Sequence, residues 1–284
     1  MANFTEYLKL PVEEIGRRSR IPVKVFQTTD KLYAHLARHM ADMVTTNNRK
    51  GVRTAMILPV GPTQQYPLFT DIVNRERIDC RNLYTFNMDE YLDWKGYPIP
   101  ESHPMSFRAC MKRLLWSGIN PDLRLPLDHM YFPDPRSLEE MDAAFDRYGP
   151  ADVCYAGVGY HGHVAFNEGV VSRWHKIPED EFLAARTHIV AIADDTFVIN
   201  SVREAGGNCE IIPPFAVTIG MKDILASKHI EGVFYCGEWQ RTVFRRTLFQ
   251  EPTVEYPGTF LKQHPDFSIA IDAMTAAPVE AIPF

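Results

Sequence analysis

Short apolar runs alternate with longer amphipathic stretches along the chain. The apolar runs lie at residues 23–26, 54–60, 83–89, 152–159, 187–193, 232–237 and 267–273. The stretch after the first run has apolar side chains spaced along one helical face, at Tyr33, Leu36, Met40 and Met43. A strand followed by a helix, repeated in this way, is typical of βαβ units and therefore of a largely parallel sheet.

The apolar runs also lack the alternation of a strand with one face in water. The run at 54–60 contains four consecutive apolar residues, Ala-Met-Ile-Leu. Strands covered on both faces show this continuous pattern. We therefore predict an α/β fold of the doubly wound, Rossmann-like type, with a mainly parallel sheet and helices on both faces.

The chain shows no internal repeat and no linker-like tract. Proline-rich connections at 97–104, 121–135 and 251–257 predict long surface loops within one unit. Residues 1–21 precede the first apolar run and predict an N-terminal extension with a short helix. We predict a single domain over residues 22–284.

The charge balance narrows the class of partner. The 284 residues carry a formal net charge of −6. A general nucleic-acid binder normally has a basic face, so this balance argues against one. It still allows a local basic pocket for a small anion.

Cysteine usage and hydropathy indicate a cytoplasmic protein. The five cysteines are scattered, odd in number and never in a CxxC pair, which favours reduced thiols in a cytosolic compartment. No apolar run approaches the roughly 18–20 residues of a membrane span, and the first twenty residues lack the apolar core of a signal peptide. We expect no membrane association.

Four polar clusters follow predicted strands, at 60–65, 87–91, 159–168 and 237–241. In a doubly wound sheet, ligands bind in the crevice outside the carboxyl ends of the strands. The topology therefore predicts that these four clusters meet in one crevice.

Asp89 and Glu90 follow the strand Leu-Tyr-Thr-Phe. A carboxylate in a crevice at a strand end is desolvated enough to act as a base near neutral pH. The alternative is an ordinary acid that caps the next turn.

His161, His163 and Glu168 lie in a glycine-framed stretch and allow three interpretations. The first is a metal site, because His-x-His is a common ligand spacing; no further His or Cys cluster supports it. The second is acid–base chemistry, in which a carboxylate orients an imidazole and raises its pKa. The third is a loop closed by structural hydrogen bonds. The paired histidines beside Asn167 and Glu168 favour the second interpretation.

The cluster after the second predicted strand is a candidate anion site. A helix start at this place offers backbone N–H groups, and Gly61 and Thr63 are candidate contacts. Pro62 has no N–H to donate, so a plain helix cap is an equal alternative. Arg241 is a candidate clamp for an oxyanion, although a solvated surface arginine is the ordinary case.

Two longer motifs resemble the glucosamine-6-phosphate deaminase/isomerase family. "TFNMDEY" at 85–91 is similar to one family signature, and "GHVAFNEG" at 162–169 is similar to a second. Further matching segments follow in the family's order: "ESHPMSF" at 101–107, "DTFVINS" at 195–201 and "PPFAVTIGMKDILAS" at 213–227. The resemblance covers roughly residues 22–275. The related 6-phosphogluconolactonases lack the Phe-Asn-Glu ending of the second motif.

The resemblance implies a cofactor-free aldose–ketose isomerisation of an amino sugar or its phosphate, with loss of ammonia and without a metal. Asp89 would be the base that moves a proton between C2 and C1. His163 would assist ring opening, oriented by Glu168. Glu90 is carried as a candidate substrate contact. A homo-oligomer is also implied.

The chain departs from the family pattern at several places. His161 replaces the first acid of the second motif, and a second imidazole can repel a charged His163 or contact substrate itself. The loop at 58–64 replaces a family Thr-Gly-Gly-Thr with Val-Gly-Pro-Thr. The family arginine after Asn-Ser falls on Val202, with Arg203 one residue on, and Arg241 is the nearest counterpart of a family lysine.

These changes affect phosphate contacts while the carbon-acid base is kept. Each lost charged hydrogen bond costs on the order of 1.5–3 kcal/mol. We therefore expect a substrate other than plain glucosamine 6-phosphate. Alternatives are a lactonase-type hydrolase, a non-catalytic sugar-binding regulator, or a metal hydrolase built on His161, His163 and Glu168.

One segment is longer than its counterpart in compact members of the family. Residues 169–186 form a lid, a subunit contact or a surface loop, and the loop is the default expectation.

Overall fold

The computed structural model describes residues 6–169 and 177–280. Residues 170–176 of the expected loop at 169–186 therefore lie outside the described residues, whereas Glu179–Ala184 of the same segment form a short helix and not the expected loop. The strands are β1 (Val23–Phe26), β2 (Thr54–Leu58), β3 (Leu83–Asn87), β4 (Asp89–Leu92), β5 (Met130–Tyr131), β6 (Val153–Gly157), β7 (His188–Ala191), β8 (Phe215–Thr218), β9 (Ile230–Phe234) and β10 (Phe267–Asp272).

The α-helices in this described part are α1 (Val12–Ser19), α2 (Thr29–Arg49), α3 (Gln65–Glu76), α4 (Phe107–Met111), α5 (Leu138–Tyr148), α6 (Glu179–Ala184), α7 (Asp194–Glu204), α8 (Met221–Leu225), α9 (Gln240–Phe249) and α10 (Ala273–Ala276). Short 3₁₀ segments and one π turn lie between them. No helix of the described residues combines the length and the apolarity of a membrane span.

Seven strands form one parallel sheet in the order β1-β10-β9-β6-β2-β3-β5. The predicted doubly wound α/β class is confirmed. From β2 the chain runs outward to β3 and β5, then returns to β6 on the other side of β2. The strand order therefore reverses between β2 and β6, which is where ligands bind in sheets of this kind.

A second, antiparallel sheet of three strands, β4-β8-β7, stands beside the first. The sequence predicts one strand over 83–89, whereas the structure breaks it at Met88 into β3 and β4. Asp89 thus begins a strand of the smaller sheet and pairs with Thr218. The apolar pattern alone did not predict β5 or β8.

The core lies on both faces of the seven-stranded sheet, as expected for strands without alternation. All five residues of β2 are buried. Met56 and Leu58 pack with the helices α2 and α3, while Ala55 and Ile57 pack with α5 and α9 on the other face. Burial of each such apolar side chain contributes about 1.5–3 kcal/mol.

The N-terminal segment packs on this body. Ile15 of α1 is fully buried in the larger core. The buried Arg245 of α9 donates to the backbone carbonyl of Leu10 at 2.9 Å. The division of the chain at residue 21 stays a prediction.

Candidate active site

A cavity of about 360 Å³ lies at the carboxyl ends of β2 and β6. Its size falls in the range of small-molecule sites. Five residues singled out from the sequence line it: Gly61, Thr63, Asp89, His163 and Arg203. Four others, Glu90, His161, Glu168 and Arg241, are outside its lining. The crevice predicted from the strand ends is therefore present, and it is lined by five of the nine residues that the sequence singled out.

Asp89 lies at the start of β4 with only 6% of its surface exposed. Burial, reinforced by the neighbouring charge of Glu90, raises the pKa of Asp89 well above its usual range. No hydrogen bond to its carboxyl from a described residue holds the charged form. A carboxyl in this state is available for proton transfer at a carbon atom.

The carboxylate of Glu90, unlike that of Asp89, accepts several hydrogen bonds. Its carboxylate accepts from the backbone N–H of Phe107 at 2.9 Å and of Arg108 at 2.8 Å, and from the Ser106 hydroxyl at 3.1 Å. Burial still raises the pKa of Glu90, although these bonds oppose the rise. Glu90 belongs to β4 and is outside the cavity lining, and its carboxylate holds the start of α4.

His163 lies in the loop after β6, with its side chain 14% exposed. Its Nδ1 atom is 3.3 Å from Thr196 Oγ1 and 3.9 Å from Glu168 Oε1. Burial, and then the neighbouring His161, lowers the pKa of His163 to about 4. The sequence-based idea that a carboxylate raises this pKa is therefore wrong, because desolvation outweighs the carboxylate.

Glu168 stands behind the histidine and is 8% exposed. Its Oε2 atom accepts from the backbone N–H of Ala193 at 2.9 Å. Burial raises its pKa to about 7, against the lowering effect of the Thr196 hydroxyl and the Ala193 N–H. At neutral pH the pair is thus a neutral imidazole beside a carboxyl that is partly protonated.

The loop that carries these groups is shaped by its glycines. A Cβ at Gly159 would lie 2.0 Å from His163 Nε2, so only glycine leaves room for the ring. Gly162 has φ +75° and its carbonyl accepts from Gly258 N–H at 2.6 Å. Asn167 is buried and donates to the carbonyl of Ile219 at 2.8 Å, which ties the loop to the start of α8.

His161 turns away from the cavity. Its side chain is 57% exposed, and its Nδ1 contacts the carboxylate of Asp195. The reversal follows from the positive φ of Gly162, which separates the two histidines. The expected repulsion is nevertheless present, since the proximity of His161 contributes to the lowered pKa of His163.

The far end of the cavity contains one arginine and several aromatic rings. Arg203, from the last turn of α7, places its guanidinium carbon 5.4 Å from the ring centre of Trp239 and 5.9 Å from that of Tyr235. Among the described residues that line the cavity it is the one Lys or Arg. Glu204 lies beside it in the same lining.

Arg241 does not reach this end. Its Nε donates to the carbonyl of Met274 at 3.0 Å, and its Nη2 lies 3.8 Å from Glu238. The preceding residue, Gln240, faces the cavity instead. Its Oε1 accepts from Cys236 N–H at 2.9 Å and its Nε2 donates to Val158 O at 2.8 Å, so the amide oxygen and one amide N–H hold two strand ends together.

Sequence reasoning missed the residues of α7 and its entry that organise the site. Thr196 is fully buried against His163, and Asn200 donates to the Tyr91 hydroxyl at 2.9 Å. Both belong to the "DTFVINS" segment, so the signal was present in the resemblance without a role attached. In the described part of the chain, no three His, Cys, Asp or Glu side chains meet in a way that would hold a metal ion.

No protein-family model matches the chain. Curated relatives named glucosamine-6-phosphate deaminase include one from Thermoanaerobacter pseudethanolicus, 26% identical over 253 residues, covering 86% of this chain and 91% of the relative. Another, from Clostridioides difficile, is 27% identical over 253 residues and covers 87% and 94%. A third, from Serratia proteamaculans, is 29% identical over 199 residues and covers 68% and 69%.

Solved structures show the same fold. A structure described as a monomeric glucosamine-6-phosphate deaminase superposes with a TM-score of 0.76 at 23% identity, covering 90% of this chain and 99% of that one. A 6-phosphogluconolactonase from Shewanella baltica gives a TM-score of 0.60 at 18% identity, with 89% and 98% covered. The chain is therefore a divergent relative of the glucosamine-6-phosphate deaminases, on a fold that it shares with the 6-phosphogluconolactonases.

Proposed function

We propose that this protein isomerises an amino sugar from aldose to ketose, with release of ammonia and without a cofactor. The observation that carries the proposal is the meeting of Asp89 and His163 in one cavity, with Glu168 behind the histidine. The names of the curated relatives support the same reaction.

Each group has a task that suits its environment. Asp89 takes the proton from C2 of the open-chain amino aldose and returns it to C1, while a second proton passes from the nitrogen to the C1 oxygen. The resulting ketimine is hydrolysed by water, and the nitrogen leaves as ammonia. The buried carboxyl of Asp89, with its raised pKa, suits carbon-acid chemistry, to which general acid–base catalysis contributes about 10²–10⁴-fold.

His163 serves the oxygen end of the same sugar. With its pKa lowered to about 4, the imidazole is neutral at physiological pH and able to accept a proton from the anomeric hydroxyl. Loss of that proton breaks the bond between C1 and the ring oxygen, and the imidazolium returns the proton to the ring oxygen. The aldehyde on which Asp89 acts is then exposed. His163 therefore precedes Asp89 in the reaction.

We further propose that the terminal group of the sugar differs from a phosphate dianion. Arg203 is the one Lys or Arg in the described cavity lining, and Glu204 shares that lining. Pro62 contributes no N–H, Gln240 binds backbone groups through its amide oxygen and one amide N–H, and Arg241 lies outside the cavity. A doubly charged group would meet one cation, whereas a carboxylate or a hydroxyl needs no more.

A substrate panel tests both parts of this proposal. Ammonia release and ketose formation are measured with glucosamine 6-phosphate, glucosamine and 2-amino-2-deoxyglucuronate. Turnover of any of them supports the reaction, and a higher kcat/KM for the glucuronate or for glucosamine supports the altered terminal group. A clear preference for glucosamine 6-phosphate removes the second part and leaves the first.

A lactonase is the second candidate, because the fold is shared with 6-phosphogluconolactonases and a neutral His163 is able to activate water. Hydrolysis of 6-phosphogluconolactone without ammonia release from any amino sugar would replace the first proposal. Ligand-induced thermal stabilisation without turnover of either class would point to a regulatory binder.

We also propose a homo-oligomer in the cytoplasm, built from a single domain over residues 22–284. Light scattering after size exclusion tests the assembly. A monomeric mass would contradict the proposed assembly. One solved structure with the same fold is described as monomeric.

A further inference from the structure

One helix start contacts three polar side chains of the histidine loop. Immediately before α7, the N–H of Ala193 binds Glu168. In the first turn, Asp195 contacts His161 and Thr196 contacts His163. The turn therefore fixes the relative positions of the imidazoles and the carboxyl.

The imidazole and the carboxyl do not bond directly. The 3.9 Å between His163 Nδ1 and Glu168 Oε1 exceeds hydrogen-bond length, for which N–H···O distances are about 2.7–3.2 Å. The Thr196 hydroxyl lies closer, 3.3 Å from Nδ1. Thr196 has no exposed surface, so no solvent competes for its hydroxyl.

The hydroxyl of Thr196 is able to donate to an unprotonated Nδ1 or to accept from Nδ1–H. The proposed reaction decides between the two, because Nε2 takes the anomeric proton only when the ring proton is on Nδ1. The hydroxyl then accepts from Nδ1–H of His163. Among the described residues, Oε1 of Glu168 is buried without a hydrogen-bond partner, so it does not compete for Nδ1–H.

We propose that Thr196 is a positioning residue which accepts from Nδ1–H of His163 and holds the imidazole in its Nδ1–H tautomer. Nε2, beside Gly159 in the cavity wall, is left unprotonated and takes the proton of the anomeric hydroxyl. This inference rests on the proposed function for the direction of the bond, whereas the measurement of the tautomer needs no turnover.

Paired substitutions separate the hydroxyl from the shape of the side chain. Thr196→Val keeps the shape and removes the hydroxyl, and Thr196→Ser keeps the hydroxyl. We expect kcat to fall about 10- to 100-fold in Thr196→Val with KM changed less than about twofold, and Thr196→Ser to stay within about threefold of wild type. Equal losses in both variants, or none in Thr196→Val, overturn the proposal.

Thr247→Val is the matched control. Thr247 is also fully buried, and its hydroxyl has no hydrogen-bond partner among the described residues. We expect its kcat to match wild type. A loss equal to that of Thr196→Val shows that removing any buried hydroxyl reduces activity, and overturns the specific role.

The tautomer is measured without any substrate. Nitrogen-15 chemical shifts of the imidazoles, with the His163 signal identified by its loss in His163→Gln, distinguish Nδ1–H from Nε2–H. We expect Nδ1–H in the wild type and a shift towards Nε2–H in Thr196→Val. Nε2–H in the wild type overturns the inference whatever the substrate is, so this result is independent of a failure to find turnover.

Discussion

Two histidine–carboxylate clusters lie at opposite ends of the strands of the main sheet. The first, the His163 cluster, consists of His163, Thr196 and Glu168. The second, the His229 cluster, contains His229 and its three partners: Nδ1 lies 3.0 Å from Asp266, and Nε2 lies 3.2 Å from both Ser268 Oγ and Glu231. None of the second set lines the cavity.

By residue type, the His229 cluster is the more conspicuous of the two. Ser268, His229 and Asp266 are in contact in the order of a hydrolase triad. Ser268, however, donates its proton to Glu231 at 2.6 Å, so the histidine has no nucleophile to activate. The bond to Glu231 raises the pKa of His229, whereas burial lowers that of His163.

The comparison shows that desolvation beside a cavity distinguishes the candidate active site, and residue identity does not. Acids around His229 satisfy its charge and make a structural network. Around His163 the nearest carboxyl is 3.9 Å away and itself hard to ionise. Four experiments test this contrast, in decreasing order of expected effect.

Asp89→Asn replaces a buried, titratable carboxyl group by an amide that cannot accept a proton from carbon. We expect kcat/KM to fall by about 10³-fold or more, because a carbon-acid step loses its base. The fold is preserved, since burial already favours the uncharged form of Asp89 and raises its pKa. Ammonia-release kinetics measure the loss, and Asp266→Asn in the His229 cluster is the control with unchanged kcat. Comparable losses in the two variants would falsify the contrast.

His163→Gln and His229→Gln compare the two imidazoles directly. We expect His163→Gln to lose about 10²–10³-fold in kcat, because ring opening loses its acceptor. His229→Gln should keep wild-type kinetics, since its partners are structural. The same assay with a substrate supplied largely in open-chain form should restore part of the His163→Gln activity; no recovery argues against a role in ring opening.

Glu168→Gln tests the energetic cost of the buried carboxyl. Its folded pKa of about 7 lies above the ordinary 4.5, so ionisation is disfavoured in the fold. The resulting destabilisation is absent below pH 4.5, grows between pH 4.5 and 7, and is fully present above pH 7. We expect the variant to be more stable than wild type by about 2–3 kcal/mol at pH 8 and equal to it at pH 4.5. Urea unfolding at both values measures it, and a destabilised variant at pH 8 contradicts it.

His229→Gln should have the smallest effect, on stability alone. The pKa of His229 is raised in the fold, so its ion pairs stabilise the protein fully below pH 6.5. This contribution is lost as the pH rises through the folded value. Because Asp266 is exposed, we expect at most about 1 kcal/mol. Thermal unfolding at pH 5.5 and 8.5 should show a deficit only at the lower pH; an equal deficit at both assigns the residue to packing.

Much of this contrast was accessible from the sequence. Asp89, His163 and Glu168 follow strand-like runs within long motifs, and strand ends in a doubly wound sheet converge. The fold class followed from continuous apolar runs. These features depend on local pattern and on topology rules, which a sequence expresses directly.

The sequence did not predict which of these side chains point into the cavity, because this depends on the folded backbone. His161 and His163 are two residues apart, yet one faces solvent, because Gly162 turns the backbone between them. Gln240 and Arg241 are adjacent at a helix start, and only the first points into the cavity. The break at Met88 places Asp89 in a second sheet, which the hydrophobic pattern did not predict. The role of Thr196 could be inferred only from the distance between its hydroxyl and His163.

The helix α7 joins the two ends of the cavity. Its first turn holds the histidine loop and its last turn presents Arg203, over a length of roughly 16 Å. Because one helix carries both groups, substrate binding at Arg203 also affects the position of the histidine loop. Sugars that lack the group bound by Arg203 should therefore react slowly even at saturation.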